Sequence, residues 1–395
     1  MSAPGARARR MNLLMISGDR QVAVGEQGPF WAMQRHFSTF FERVDVLLPP
    51  QPGAQTTDRI HGNVHLHAAS VRRSAMPSWI ADAGARLVAE HGHGLIVSHD
   101  YGTFYTGRGA ARLSRKTGVP YLSELHHIPG HPVVGDARER LEKLMARTYV
   151  RWAKRRAQAF RVVNETEAPE LLRSWGVPEE KIVVLPSQYL DFDVFHPPRQ
   201  ATAIERDVVF AGRMVPNKRV DRILDALALL ARRGSRLSAL FIGKGPERAR
   251  LMARAESLGL GDRLEWVEWI GDLTELAEAY RTSRACVCAS TCEGGPRFTV
   301  EAMACGTPVV STPVGVMGEL LADGEAGRLA GFDVESLAVA LADVLTHEGR
   351  RRERGAEAVR RVQRFEYHAA LERYARGLER LSQGLGLGDT CASSS

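Results

Sequence analysis

Cysteine is scarce in this chain of 395 residues, and its spacing builds nothing. Cys286, Cys288, Cys292, Cys305 and Cys391 are five in number, with no CxxC pair and no Cys/His ligand spacing. An odd count without such spacing argues against a disulfide framework and against zinc. Cys286 and Cys288 alternate in an apolar run and read as small core residues. Long apolar runs are missing as well: none approaches the roughly 20 residues that cross a bilayer. The basic start "MSAPGARARR" runs into "MNLLMIS", which is too short for a signal-peptide core and lacks a small-residue cleavage site. The chain therefore reads as cytoplasmic. There is no Walker loop, no complete dinucleotide fingerprint and no Asp-x-Asp motif in a suitable loop, which argues against ATP, NAD and bound metal. No internal repeat is present.

What remains is ordinary. Apolar residues make up 44% and charged residues 25%, the composition of a soluble globular protein, and the length suits two or three domains. The net charge of +7 fits either an anionic partner or a merely solvated basic surface. No motif points to nucleic acid.

Short apolar runs alternate with helical patterns, the signature of parallel α/β sheets. Strands are expected at 12–17, 43–49, 95–99, 120–125 and 160–164, with an optional one at 65–71. Helices are expected at 29–42, 78–91, 106–117 and 136–157, and Pro29 suits a first helical position. The Pro-rich, aperiodic stretch 183–200 reads as an interdomain linker. A second series of strands follows at 207–212, 238–243, 263–268, 285–290 and 308–312, with helices at 219–233, 246–258, 273–282, 298–305 and 335–346. From 350 the chain is again helical and basic. The expected fold is α/β, two doubly wound Rossmann-like domains facing across a cleft.

Three glycine-bearing loops each follow an expected strand: "GRMVPNK" (212–218), "GKGPE" (243–247) and "STCEGG" (290–295). As carboxyl-end loops of parallel strands they share one sheet edge, where such sheets bind ligands. Gly212, Gly243, Gly294 and Gly295 let the backbone approach phosphates and expose N–H groups to them. The helix starting near Phe298 adds its N-terminus. Arg213 and Lys218 supply two cations suited to a diphosphate, whose charge grows as it leaves. Glu293 and Glu301 stand eight apart, one on the loop and one about a turn into the helix. Carboxylates accept from ribose or hexose hydroxyls. Glu301 suits equally well a favourable charge in a first helical turn.

The stretch "EGGPRFTVEAMACGTPVV" resembles the E-x7-E motif of retaining nucleotide-sugar glycosyltransferases of family 4, which have the GT-B fold. "GRMVPNKRVD" is similar to that family's phosphate loop, and "FIGKGPERARL" to the strand, turn and helix that follow it. "PVGVMGELLADGEAGRL" is similar to the segment past the second Glu, and "VNETEAPELLRSWGVPEEKIVVLP" to the end of the first domain. The likeness spans roughly residues 11 to 370. It implies transfer of a hexosyl unit from a UDP- or GDP-sugar to an acceptor hydroxyl, with anomeric configuration retained by a same-face, ion-pair-like displacement. The nucleotide sugar is then a substrate, and no cofactor or metal is implied. Arg213 and Lys218 would bind the donor diphosphate, Glu293 the transferred sugar near its reacting face, and Glu301 the ribose. Backbone amides around Gly294, Gly295, Arg297, Phe298 and Thr299 would help to hold sugar and phosphate.

In the first domain, "GVPYLSELHHIPG" resembles the family strand that ends in a histidine, which puts His126, rather than His127, in the cleft. "GEQGPFW" stands where the family has a Gly-rich acceptor or phosphate loop, with Gly25 and Gly28 but no adjacent glycine pair. "SQYL" (187–190) replaces the usual Asn-Gly, and Gly295 and Arg297 replace larger apolar and amide residues, which bears on the sugar pocket. The implied division is a basic tail at 1–10, an acceptor-binding domain at 11–190, a nucleotide-sugar-binding domain at 191–370, and a C-terminal helix with a flexible tail at 371–395. The acceptor stays open between a cell-envelope glycan, a lipid-linked glycan and a small molecule. Rival readings are another GT-B chemistry, epimerase or phosphorylase, and a sugar-nucleotide-binding module without catalysis.

The segment from Lys143 to Arg161 carries seven basic residues and no acidic one. Leu141, Leu144, Met145, Thr148 and Trp152 recur beside them at helical spacing. Such a helix either rests its apolar stripe on an anionic membrane, peripherally, or packs it on the first-domain sheet.

Overall fold

A computed structural model describes residues 10–385, apart from 54 and 201. Most of the expected basic tail, Cys391 and the end of the expected flexible tail lie outside the described residues. The chain forms two sheets in sequence. The first holds β1 (Asn12–Ile16), β2 (Arg43–Leu48), β3 (Arg59–Ile60), β4 (Val64–Ala68), β5 (His93–His99), β6 (Tyr121–Glu124), β7 (Ala159–Val162) and β8 (Ile182–Val184), in the order β3-β4-β2-β1-β5-β6-β7-β8. Only the short β3 runs antiparallel. The second holds β9 (Arg206–Ala211), β10 (Ala239–Ile242), β11 (Leu264–Val267), β12 (Ser283–Cys288), β13 (Val309–Ser311) and β14 (Gly327–Leu329), all parallel, in the order β11-β10-β9-β12-β13-β14. Central strands such as Leu13–Met15 and Val208–Phe210 are wholly enclosed, as parallel strands covered on both faces require. Strand order reverses between β1 and β5 and again between β9 and β12. These are the switch points where open sheets leave a crevice at their carboxyl edge.

Helices cover both sheets. They are α1 (Pro29–Phe40), α2 (Met76–His91), α3 (Tyr105–Thr117), α4 (Ala137–Ala153), α5 (Glu167–Ser174), α6 (Val220–Arg232), α7 (Arg248–Ser257), α8 (Leu273–Arg281), α9 (Arg297–Ala304), α10 (Met317–Leu320), α11 (Val334–Thr346), α12 (Glu348–Val362) and α13 (Tyr367–Ser382). Pro29 occupies the first position of α1, as its missing N–H allows. Asp136 caps α4 by accepting from the Glu139 amide at 2.8 Å.

Two expectations change. The start of the expected linker, 183–200, is in part strand β8, which pairs with β7. The stripe of α4 is rotated: Ala146, Tyr149, Val150 and Ala153 face the sheet, whereas Leu141 and Leu144 are each 57% exposed. Met145 and Trp152 of the expected stripe pack against the same core, while the two leucines are left outside. None of the described helices is long and apolar enough to cross a membrane. Finally, α13 returns from the second sheet to the first. Its Leu371, Tyr374, Ala375 and Leu378 join the core formed by β1, β2 and α1, and Tyr367 Oη donates to the Ala32 carbonyl at 3.1 Å.

Candidate active site

The loops that follow β9, β10 and β12 meet on one edge of the second sheet. Gly243 sits so close to the loop after β9 that a Cβ there would lie 1.9 Å from the Gly212 carbonyl oxygen. Only glycine allows the two loops this approach. Met214 N donates to the Lys244 carbonyl at 2.7 Å, and Asn217 ties the first loop to the third through its Nδ2, which donates to the Cys292 carbonyl at 3.1 Å. These bonds fix where Arg213 and Lys218 stand. Lys218 is buried, with Nζ 2.5 Å from Glu293 Oε1 and 5.6 Å from the centre of the Phe298 ring. The exposed Arg213 makes no side-chain hydrogen bond or ion pair among the described residues. One cation is thus held in place and one is free.

Helix α9 starts on the same edge. Phe298 packs edge-on against Phe210 with ring centroids 5.3 Å apart, so its side chain belongs to the core. Thr299 is buried, and its amide and hydroxyl both donate to the Pro296 carbonyl. Among the expected amides, those of Arg297 and Phe298 are left at the helix start without an intrahelical acceptor. Glu301, one turn in, is almost enclosed. It accepts from Arg297 Nε at 2.8 Å on one oxygen and from Tyr280 Oη at 3.2 Å on the other. Burial pushes its pKa up, against the pull of Arg297. Glu293 and Glu301 are therefore in different surroundings, one beside Lys218 in the crevice and one beneath Arg297.

The first sheet faces this edge closely. A Cβ on Gly294 would lie 2.0 Å from the His126 carbonyl oxygen, and one on Gly295 would lie 1.9 Å from Gln188 Nε2. Cys292 Sγ lies 3.2 Å from the Ile128 carbonyl oxygen. Further out, the Gly315 amide donates to Glu167 Oε2 and the Glu165 amide to Glu319 Oε1, each at 2.5 Å. The two domains thus touch through the carboxyl edges of their sheets, with the loop after β12 clamped between them. His126 and His127 both lie exposed in the loop after β6. The His126 ring turns toward its own domain, 5.6 Å from His99 and with Nε2 3.7 Å from Glu124 Oε2. The His127 ring feels Glu293, Lys218 and Arg213 across the crevice. The sequence singled out His126 rather than His127, but both lie on this edge, and His127 is the one facing the second sheet. Gly25 and Gly28 lie beyond β1, Gly28 at the start of α1.

Sequence reasoning missed His127, Tyr280, Glu167 and Glu124. Glu167 sits at the start of α5, and burial, then Glu319 and Glu293, hold its pKa up at about 7 against the Gly315 amide. Its only mark in the sequence is the second Glu of "NETEAPE", which reads as an ordinary acidic first turn.

Comparison with known proteins follows the same division. Residues 191–362 match the model of the glycosyl transferases group 1, and residues 32–188 that of a glycosyl transferase 4-like domain. A D-inositol 3-phosphate glycosyltransferase of Frankia alni is 31% identical over 342 residues, covering 78% of this chain and 80% of the relative. A similarly named protein of Catenulispora acidiphila is 30% identical over 73% of this chain and 71% of its own. Among solved structures, sucrose-phosphate synthase from Thermosynechococcus elongatus aligns with a TM-score of 0.77 at 20% identity, covering 94% and 99% of the two chains. Anabaena HepE in complex with UDP-glucose aligns with a TM-score of 0.71 at 18% identity, covering 93% and 99%.

Proposed function

The chain belongs to the family-4-type glycosyltransferases of GT-B fold, hexosyltransferases that draw on nucleotide sugars, and from that premise we propose a retaining enzyme that uses a UDP- or GDP-sugar without metal. The observation that carries the reading is the joint placement of Lys218, Arg213 and the α9 N-terminus beside Glu293 on one sheet edge. In this reading the diphosphate lies between Lys218 and Arg213, with the free amides of α9 behind it. Its charge rises as the glycosidic bond breaks, and these fixed groups stabilise it more in the transition state than in the ground state. They supply the positive charge that a metal would otherwise bring. Glu293 then hydrogen-bonds hydroxyls of the moving sugar, and Glu301 those of the ribose. In this reading Glu301, oriented by Arg297 and Tyr280, keeps its remaining lone pairs for the ribose, so the two glutamates do not act as the nucleophile and acid pair of a retaining glycosidase. Retention follows instead from attack on the face that the diphosphate leaves, the departing phosphate taking the acceptor's proton.

The acceptor in this reading is polyhydroxylated, either a small molecule or a cell-envelope glycan. The relatives' names, which specify D-inositol 3-phosphate, support the small molecule. The test is to incubate the enzyme with UDP-, GDP- and ADP-sugars, with and without inositol phosphate, and follow nucleotide diphosphate release and the product's anomeric proton by NMR. Release with a retained anomer is expected. No release from any donor, or an inverted product, would overturn the reading.

The site also suggests where the enzyme works. Leu141 and Leu144 project from α4 among exposed Arg140, Arg147 and Arg151. We read this face as resting peripherally on an anionic membrane, on its cytoplasmic side. Sedimentation with anionic vesicles at low salt, lost in a Leu141→Glu, Leu144→Glu variant, is the expected result; equal sedimentation of both proteins, or of neither, would refute it.

A further inference from the structure

Glu124 ends β6, two residues before His126, and its side chain is wholly enclosed. Its two oxygens have different company. Oε1 accepts from Arg161 Nη1 at 3.0 Å and from Tyr374 Oη at 2.5 Å. Arg161 is itself fixed: it donates to the carbonyls of Leu185 and Pro186 at 2.9 Å each, and its guanidinium lies 3.7 Å from the centre of the Tyr374 ring. Oε2 is buried yet receives no well-directed hydrogen bond. It has His99 Nε2 at 3.0 Å, out of line, and His126 Nε2 at 3.7 Å. His99 is wedged between Phe30 and His126, with 5.6 Å between centroids on each side, while the His126 side chain is 44% exposed in the cleft. An enclosed carboxylate oxygen without an aligned donor, aimed at a pair of imidazoles on the acceptor side, is not needed to hold the strand. Oε1 alone satisfies Arg161 and α13.

The geometry points to Glu124 as a positioning residue for the acceptor-side histidine, with Oε2 reserved for the Nε2–H of His126 and Oε1 anchored by Arg161 and by Tyr374 of the returning helix. The inference rests on the transferase reading above. A carboxylate only accepts, so it fixes the neutral ring with its proton on Nε2. Nδ1 then keeps its lone pair and accepts a hydrogen bond from a sugar or acceptor hydroxyl in the cleft. The pairing is of the kind in which a carboxylate sets the tautomer and orientation of a working imidazole. Burial opposes ionisation of Glu124, but Arg161 and the two histidines hold its pKa well below the ordinary value. The anchor on Tyr374 ties Glu124 to α13, 250 residues further along, whose apolar face is already packed in the first-domain core.

The test uses the full chain. In nitrogen-detected NMR of the histidine rings, wild-type His126 is expected as the Nε2–H tautomer, and Glu124→Gln, whose amide can donate, is expected to shift it toward Nδ1–H. Kinetically, Glu124→Gln should lower turnover at least tenfold while changing the donor KM less than twofold, and should have no further effect in a His126→Ala background. Tyr374→Phe keeps the Arg161 pair and therefore the fold, and should lower turnover by a smaller factor with the same KM pattern. An unchanged tautomer in Glu124→Gln, or an equal loss with and without His126, would overturn the proposal. If the wild type releases no diphosphate from any donor, the transferase reading fails, and the tautomer spectrum still decides the role of Glu124.

Discussion

Lys218 and Glu293 neutralise each other at the mouth of α9, so on the proposed reading a bound diphosphate shares Lys218 with that carboxylate, while Arg213 is free to meet it. On that reading, removing either cation removes a group whose work lies in the transition state. Arg213→Ala and Lys218→Ala are each expected to lower turnover by about 10²–10³-fold, the range seen when one preorganised charge-stabilising group is lost. Circular dichroism should show both variants folded. Glu301 differs from Glu293 in being nearly enclosed, with both oxygens occupied. Glu301→Ala is expected to raise the donor KM by about ten- to a hundredfold, the worth of a charged hydrogen bond, with a smaller effect on turnover. The eight-residue spacing of the two glutamates was legible in the sequence, and so were the cations in their glycine loop. Tyr280 was not. It lies 21 residues before Glu301 at the end of another helix, and nothing local marks a tyrosine whose hydroxyl meets a distant carboxylate.

At the scale of elements, the strands were readable because a parallel strand covered on both faces must be a short apolar run. The short β14 is three residues long, too few to show a pattern, and Pro169 disguises α5. The stripe on α4 misled for a physical reason. Periodicity shows that a helix has an apolar side but not how far round that side is covered, and here the core covers Ala146, Tyr149, Val150 and Ala153 and leaves Leu141 and Leu144 outside. The placement of α13 in the first domain was equally hidden, since its partners lie hundreds of residues upstream. The loop between Glu293 and α9 is where the elements of both domains converge. A methyl at Gly294 meets backbone, the His126 carbonyl, which cannot swing aside as a side chain would. Gly294→Ala is therefore expected to hold the cleft open and to lower turnover at least tenfold. Small-angle scattering should show a larger radius of gyration, and a change of only a few degrees in Tm is expected because neither core is touched.

Across the whole molecule, the two sheets are joined near the cleft by carboxylates that accept from amides of the opposite domain, and Glu167 is the one whose ionisation is displaced most usefully. Burial, the first cause, holds it up at about 7 from its ordinary 4.5. Below pH 4.5 the group is protonated in folded and unfolded chains alike, and its burial is not penalised. As pH rises from 4.5 to about 7 the unfolded chain ionises first, so stability falls, and above about 7 the penalty is constant. Glu167→Gln should thus gain on the wild type as pH rises through that window, by on the order of 1–3 kcal/mol at pH 8, in urea unfolding compared at pH 5 and pH 8. A difference that does not depend on pH would contradict this. The central claim is that the crevice between the loops after β9 and β12 holds a nucleoside diphosphate. Calorimetric titration of UDP and GDP into wild type, Arg213→Ala and Lys218→Ala tests it most directly. One of the two nucleotides should bind the wild type and lose at least tenfold in affinity to each variant; binding of neither to the wild type, or equal binding to all three proteins, would contradict the account.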